Sequence, residues 1–138
     1  ETYDFILTAR SIHGWMGTPG MLEKTFKEFH DALKPGGILA VEQHRANPGP
    51  QDPQAASGYV TEAFVIEQAE KAGFKLAGRS EINANAKDTK DHPFGVWTLP
   101  PALRSTAYGS KETDPSFDHS KYLAIGESDR MTLRFVRP

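Results

Sequence analysis

The chain has 138 residues, with 16 Lys and Arg against 18 Asp and Glu, for a formal charge of −2. The length suits one domain, and the near balance of charge gives no basis for a nucleic-acid surface. Cysteine is absent, which excludes disulfides, thiolate nucleophiles and thiolate metal ligands, and no apolar run approaches the roughly 18 residues of a membrane span.

The sequence reaches its first apolar run by Phe5 without an initiator Met, so we expect a segment that precedes it. Residues 4–9, Asp-Phe-Ile-Leu-Thr-Ala, predict a buried strand. Arg10 to Gly17 has no clean period and predicts a loop or a short helical turn. Thr18 and Pro19 then form a helix start, with Thr18 as N-cap and Pro19 in the first turn. Leu22, Phe26, Phe29 and Leu33 make one apolar stripe. Glu23 with Lys27, and Lys24 with Glu28, are spaced as i,i+4 pairs on the outer side. Pro35 and Gly36 stop the helix.

Ile38 to Val41 follow as a short apolar run between turn residues and the polar Glu42, Gln43 and His44. That pattern predicts a buried parallel strand whose carboxyl end is polar. Ligands of open α/β sheets lie beyond the carboxyl ends of the strands. Residues 45–58 are rich in Pro, Gly, Gln, Asn and Ala and predict an exposed loop or flap. A second helix starts near Thr61, with Val60 and Val65 placed as a hydrophobic staple. It runs through Ala72 and ends at Gly73, and Phe74 folds back on Ala69. Residues 74–82 alternate only partly and predict a strand at the sheet margin. Residues 131–137 alternate well, with Met131, Leu133 and Phe135 on one face, and predict a half-buried final strand antiparallel to the rest. Residues 83–130 form a long excursion. Its Phe94, Val96, Trp97 and Leu99 offer area to bury, with helical turns expected near 101–104 and 120–123.

Leu33-Lys34-Pro35-Gly36-Gly37 before an apolar strand, and the Ala72-Gly73-Phe74 turn, resemble pieces of the second half of a class I S-adenosylmethionine-dependent methyltransferase. Residues 80–88, 94–101 and 129–138 are similar to a bacterial family of predicted methyltransferases, many of which carry export signals. The resemblance leaves the compartment open between export and the cytoplasm. It implies an α/β, Rossmann-like sheet that supplies strands four to seven of a 3-2-1-4-5-7-6 order. Residues 1–138 would then be the C-terminal part of one domain, with 83–130 covering the substrate. The Gly-rich loop and the acidic ribose-binding strand end of that family lie outside this sequence. The expected partners are therefore that N-terminal half, or a second copy, and a small-molecule methyl acceptor.

By the same resemblance, Thr8, Ala9, Arg10, Ile12 and Trp15 would lie beside S-adenosylmethionine. Arg10 is suited to a carboxylate on cofactor or substrate, or to an ordinary salt bridge. His13 and His44 are candidate general bases because imidazole titrates near neutrality; the alternative is a structural histidine. Glu42 is a candidate for orienting His44 or pairing with Arg45. No metal is expected: His13, Glu42 and His44 with Asp88, Asp91 or His92 match no ligand motif. Those last three are read as solvated or capping residues. Ser116, Asp118 and His119 lack the turn of a nucleophile elbow. Two other function classes compete: a non-catalytic Rossmann-like binding module, and a nicotinamide-dependent oxidoreductase.

Overall fold

A computed structural model describes residues 2–138. Strand β1 (Tyr3–Ala9) leads through the single turn α1 (Ile12–Trp15) and helix α2 (Met21–Ala32) to strand β2 (Leu33–His44). Helix α3 (Glu62–Lys71) and strand β3 (Lys75–Ser80) follow. The excursion then holds a 3-10 turn at Gly95–Thr98 and helix α4 (Ser120–Ile125), before strand β4 (Arg130–Val136). The strands form one sheet in the order β1-β2-β4-β3. β1 and β2 are parallel, and β4 runs antiparallel to both its neighbours. The predicted sheet margin is thus edge strand β3, and the last strand lies inside the sheet.

Parity explains which face is covered. Leu39, Val41 and Gln43 on β2, and Met131, Leu133 and Phe135 on β4, point to the same side and are buried. Leu22 and Phe26 of α2 and Val65 and Ala69 of α3 pack on them in one core. Phe26 and Phe135 are fully buried, each worth about 2–3 kcal/mol by area removed from water. The opposite face is bare at β1, where Tyr3, Phe5 and Leu7 are 57%, 58% and 62% exposed.

Helix α2 begins later than predicted. Thr18, Pro19 and Gly20 form a turn closed by the Met21 N–H on the Thr18 carbonyl (3.2 Å), with Gly20 at φ 78°. A left-handed residue cannot continue a helix, so α2 starts at Met21, and Thr18 caps nothing. Its outer face also pairs differently: Lys24 reaches Glu28 at 3.9 Å, whereas Lys27 turns to Asp31, not to Glu23. Leu33 is buried as predicted, but as the first residue of β2. Between Tyr3 and Phe5 the register on β2 jumps from Leu33 to Ile38. The Pro-Gly-Gly segment is therefore a bulge in a strand, held by the Gly36 N–H on the Arg137 carbonyl (2.7 Å).

Helix α3 follows the predicted capping. Thr61 Oγ1 accepts from the Phe64 N–H at 3.2 Å, and Val60 and Val65 are both buried. At its end Gly73 has φ 100°. The Phe74 N–H donates to Ala69 and the Gly73 N–H to Glu70, a Schellman motif. Ile82, expected inside the third strand, lies beyond β3 and is exposed.

The 45–58 loop is not a detached flap. Gly58 and Gly95 lock it to the excursion: a Cβ on Gly58 would sit 2.5 Å from Val96 Cγ1, and one on Gly95 2.5 Å from the Ser57 carbonyl. The Val96 N–H donates to that carbonyl at 2.9 Å. A helical turn was expected at 101–104; the helical residues come earlier, at Gly95–Thr98, while α4 lies near its predicted place.

Asp88 pins the excursion to the core and is buried, not solvated. It accepts from the Tyr59 hydroxyl (2.9 and 3.1 Å), the Asp129 N–H (2.9 Å) and the Lys90 N–H (3.0 Å), and its Oδ1 lies 2.8 Å from Nε2 of buried His92. Asp91 remains exposed.

Candidate functional site

The carboxyl ends of β1 and β2 meet the excursion at a cleft of about 310 Å³. Its polar side is Arg10, His13, His44 and Arg130; its apolar side includes Val96, Trp97, Leu99 and Pro100. Residues from the sheet and from the excursion thus face one another across it.

Gln43 sets the chemistry of His13. Its side chain is wholly buried on the helix-covered face of β2, next after Leu39 and Val41 in parity. The Ile12 N–H donates to Oε1 at 3.2 Å, and Nε2 donates to the Gly58 carbonyl at 3.1 Å. These two backbone partners fix which end of the amide is which. The Gln43 Nε2, 3.0 Å from His13 Nδ1, must therefore donate there. His13 accepts at Nδ1 and carries its proton on Nε2. Burial lowers its pKa from 6.5, and a protonated ring would set two donors against each other at Gln43.

Ser128 engages His44. The Arg130 Nε donates to Ser128 Oγ at 3.1 Å. The same hydroxyl lies 2.5 Å from His44 Nδ1 and hydrogen-bonds to it. Burial, the repulsion that charging it beside His13 would bring, and the positive field of Arg130 and Arg10 pull the His44 pKa down to about 3. Both rings are neutral and 5.4 Å apart between centroids, and each is held at Nδ1. In its tautomer His13 donates through Nε2 and has no lone pair there to act as a base.

Glu42 lies on the opposite face of β2 from Gln43. It faces Arg130 at 3.5 Å in a diagonal cross-strand pair, and so meets neither His44 nor Arg45 as anticipated. Arg45 is held instead by Asp129 at both oxygens (2.9 and 3.0 Å), by Glu62 (3.0 Å) and by Glu81. Burial alone would raise the Asp129 pKa, but Arg45, Lys90 and the Asn85 N–H together hold it well below the carboxylate range. A larger groove, about 550 Å³, runs beside this cluster. Its charged groups already pair with one another, Arg79 with Glu62 included.

Of the residues anticipated beside a cofactor, Arg10 lines the cleft mouth and is exposed, at φ 53°. Its N–H donates to the Glu42 carbonyl at 2.7 Å, and no described carboxylate lies within ion-pair distance of its guanidinium. The Ala9 carbonyl accepts from Ser11 Oγ at 3.0 Å. Thr8 and Ile12 are buried, and Trp15 packs edge-on against Phe29 at 5.9 Å. Three of the five side chains are therefore spent in packing. The exposed guanidinium of Arg10 suits the carboxylate end of S-adenosylmethionine. Among the described residues there is no cluster of metal-ligating side chains, and no helix is long and apolar enough to cross a membrane.

Gln43 was legible as a polar residue on an apolar parity, Leu39-Val41-Gln43. Ser128 and Arg130 carried no such signal, because only the antiparallel pairing of His44 with Arg130 brings them there.

No family model matches the chain, and no curated protein does. Solved structures do. One is the [4+2]-cyclase SpnF, 14% identical, with a TM-score of 0.57 over 99% of this chain and 51% of that one. Another comes from the complex between the Haloferax volcanii Trm112 methyltransferase activator and the putative methyltransferase. It is 14% identical, with a TM-score of 0.54 over 99% of this chain and 54% of that one. The chain thus spans about half the length of the structures it matches. Likeness at this identity shows the fold: a mixed α/β, methyltransferase-like architecture.

Proposed function

We propose that the chain is the C-terminal part of an S-adenosylmethionine-dependent methyltransferase that acts on a small molecule. The observation that carries this reading is the strand order β1-β2-β4-β3 with β4 antiparallel. It corresponds to strands four, five, seven and six of the order that the sequence resemblance implies. The excursion over the carboxyl ends of β1 and β2 fits a substrate cover. The bare edge of β1, with Tyr3, Phe5 and Leu7 exposed beside it, suits the docking of an N-terminal half. The coverage of about half of each matched structure agrees with that division.

When bound, the cofactor supplies an electrophilic methyl group. This chain's share is to orient the acceptor, exclude water with Trp97 and Leu99, and donate hydrogen bonds from Arg10 and His13. A fold does not decide a reaction, and one matched structure bears the name of a cyclase. A ligand-binding or non-transfer role on the same scaffold is therefore the second reading.

Calorimetry with S-adenosylmethionine on the longest product of the gene, and on this chain alone, tests the proposal. Saturable binding by the longer product, and much weaker binding by this chain, is expected. A folded long product without affinity for the cofactor refutes methyl transfer and leaves the binding-module reading.

A further inference from the structure

We infer that the cleft between the strand ends and the excursion holds the carboxylate of a small molecule with an apolar body. Its polar side chains are two arginines and two histidines, with no carboxylate among them. Arg10 is exposed at the mouth with no described carboxylate partner. His13 and His44 turn their Nδ1 atoms inward, to Gln43 and Ser128, and the donation from Gln43 leaves the Nε2–H of His13 for a ligand. Arg130 is the fourth, and its charge is partly offset by Glu42 (3.5 Å) and Glu127 (3.4 Å). Glu42 and Glu127 are not among the lining residues, so no carboxylate opposes an anion inside the cleft.

This arrangement is costly without a ligand. Donors gathered in a half-buried site repel one another, and each leaves hydrogen-bonding capacity unused. A carboxylate has several lone-pair sites and can answer Arg10 and the His13 Nε2–H together. The opposite wall then selects what the carboxylate is attached to. Val96, Leu99 and Pro100 are apolar, and Trp97, stacked on Tyr108 at 4.2 Å, adds a rigid aromatic ring. The 310 Å³ of the cleft lies at the small end of the ligand-site range.

The inference deepens the proposed function by naming the class of acceptor, but it stands on the cleft alone and is tested without the cofactor. Benzoate is the probe; benzamide is its neutral counterpart, and inorganic phosphate is the anion without an apolar body. Calorimetry with the chain should show benzoate binding at least tenfold tighter than benzamide or phosphate. The Nε2–H resonance of His13 and the ring resonances of His44 should move in the same titration. Arg10→Ala should weaken benzoate about tenfold, as loss of one charge-assisted hydrogen bond does, and Arg10→Lys should restore part of it. Arg79→Ala, an equal charge change at the other groove, should leave binding unchanged.

Equal affinity for benzoate and benzamide overturns the inference, as does an Arg10→Ala variant that binds normally. Phosphate binding as tight as benzoate overturns the apolar requirement. Displacement of benzoate by S-adenosylmethionine in the longer product assigns the carboxylate site to the cofactor and overturns the inference while leaving methyl transfer intact. Cofactor binding without any benzoate binding has the same consequence.

Discussion

Replacing Gln43 by Leu tests the organisation of the site most directly. The substitution keeps an apolar side chain of similar size on the buried face of β2 but removes every hydrogen bond the amide makes. The Ile12 N–H, now 3.2 Å from Oε1, and the Gly58 carbonyl, now 3.1 Å from Nε2, both lose their partner inside the core. An unsatisfied buried backbone group costs roughly 1–3 kcal/mol, so the pair costs roughly 2–5 kcal/mol after some relaxation. The Gln43→Leu variant should therefore lose that much stability in urea, with an unchanged m-value. Nitrogen NMR gives the second readout. In the parent protein His13 should carry its proton on Nε2, and in the variant that preference should weaken. A loss below about 0.5 kcal/mol, the level of an ordinary surface substitution, would refute the reasoning. So would a parent His13 protonated at Nδ1.

Three further outcomes follow from named contacts. His44 has a folded-state pKa near 3 against 6.5 unfolded, so the unfolded chain binds a proton that the folded one does not between those values. Its contribution is complete above pH 6.5 and is lost as pH falls, with a slope approaching ~1.4 kcal/mol per pH unit. Asp129 enters only below its unfolded 3.8 and His13 adds a limb of the same sign, so His44→Gln should make urea midpoints fall less steeply from about pH 6.5 down to 4; an unchanged acid limb rejects the assignment. Arg45→Ala should cost about 3 kcal/mol because it strips the bidentate partner from buried Asp129, and adding Asp129→Ala should cost less than the sum of the two single changes. Additive effects would contradict this coupling. Gly95→Ala places a Cβ 2.5 Å from the Ser57 carbonyl at φ 61° and should cost roughly 2–3 kcal/mol. Limited proteolysis should then cut the excursion faster, and an unchanged melting temperature would show that the excursion is not locked there.

Local chemistry determined much of this fold from the sequence alone. Thr61, Val60, Val65, Gly73 and Phe74 specify both ends of α3, because caps and C-terminal glycines act over a few residues. The alternation of Met131, Leu133 and Phe135 specified a strand with one buried face. The polar end of β2 marked the place of the cleft. Where two local signals competed, sequence misled: Thr18 and Pro19 read as a helix start until Gly20 took a left-handed turn, and Pro35-Gly36-Gly37 read as a stop where β2 carries a bulge. Asp88 and His92 read as solvated because nothing near them in sequence shows that Tyr59 and the Asp129 N–H come to meet them.

The site itself was decided by tertiary structure. Gln43 reaches His13 across 30 residues, and Ser128 reaches His44 across 84. Residue types made His13 and His44 candidate bases, because free imidazole titrates near neutrality. Burial instead holds both neutral, and Gln43 makes His13 a donor at Nε2. A proton's position on a ring depends on what stands a hydrogen bond away in space, and a linear sequence does not contain that distance.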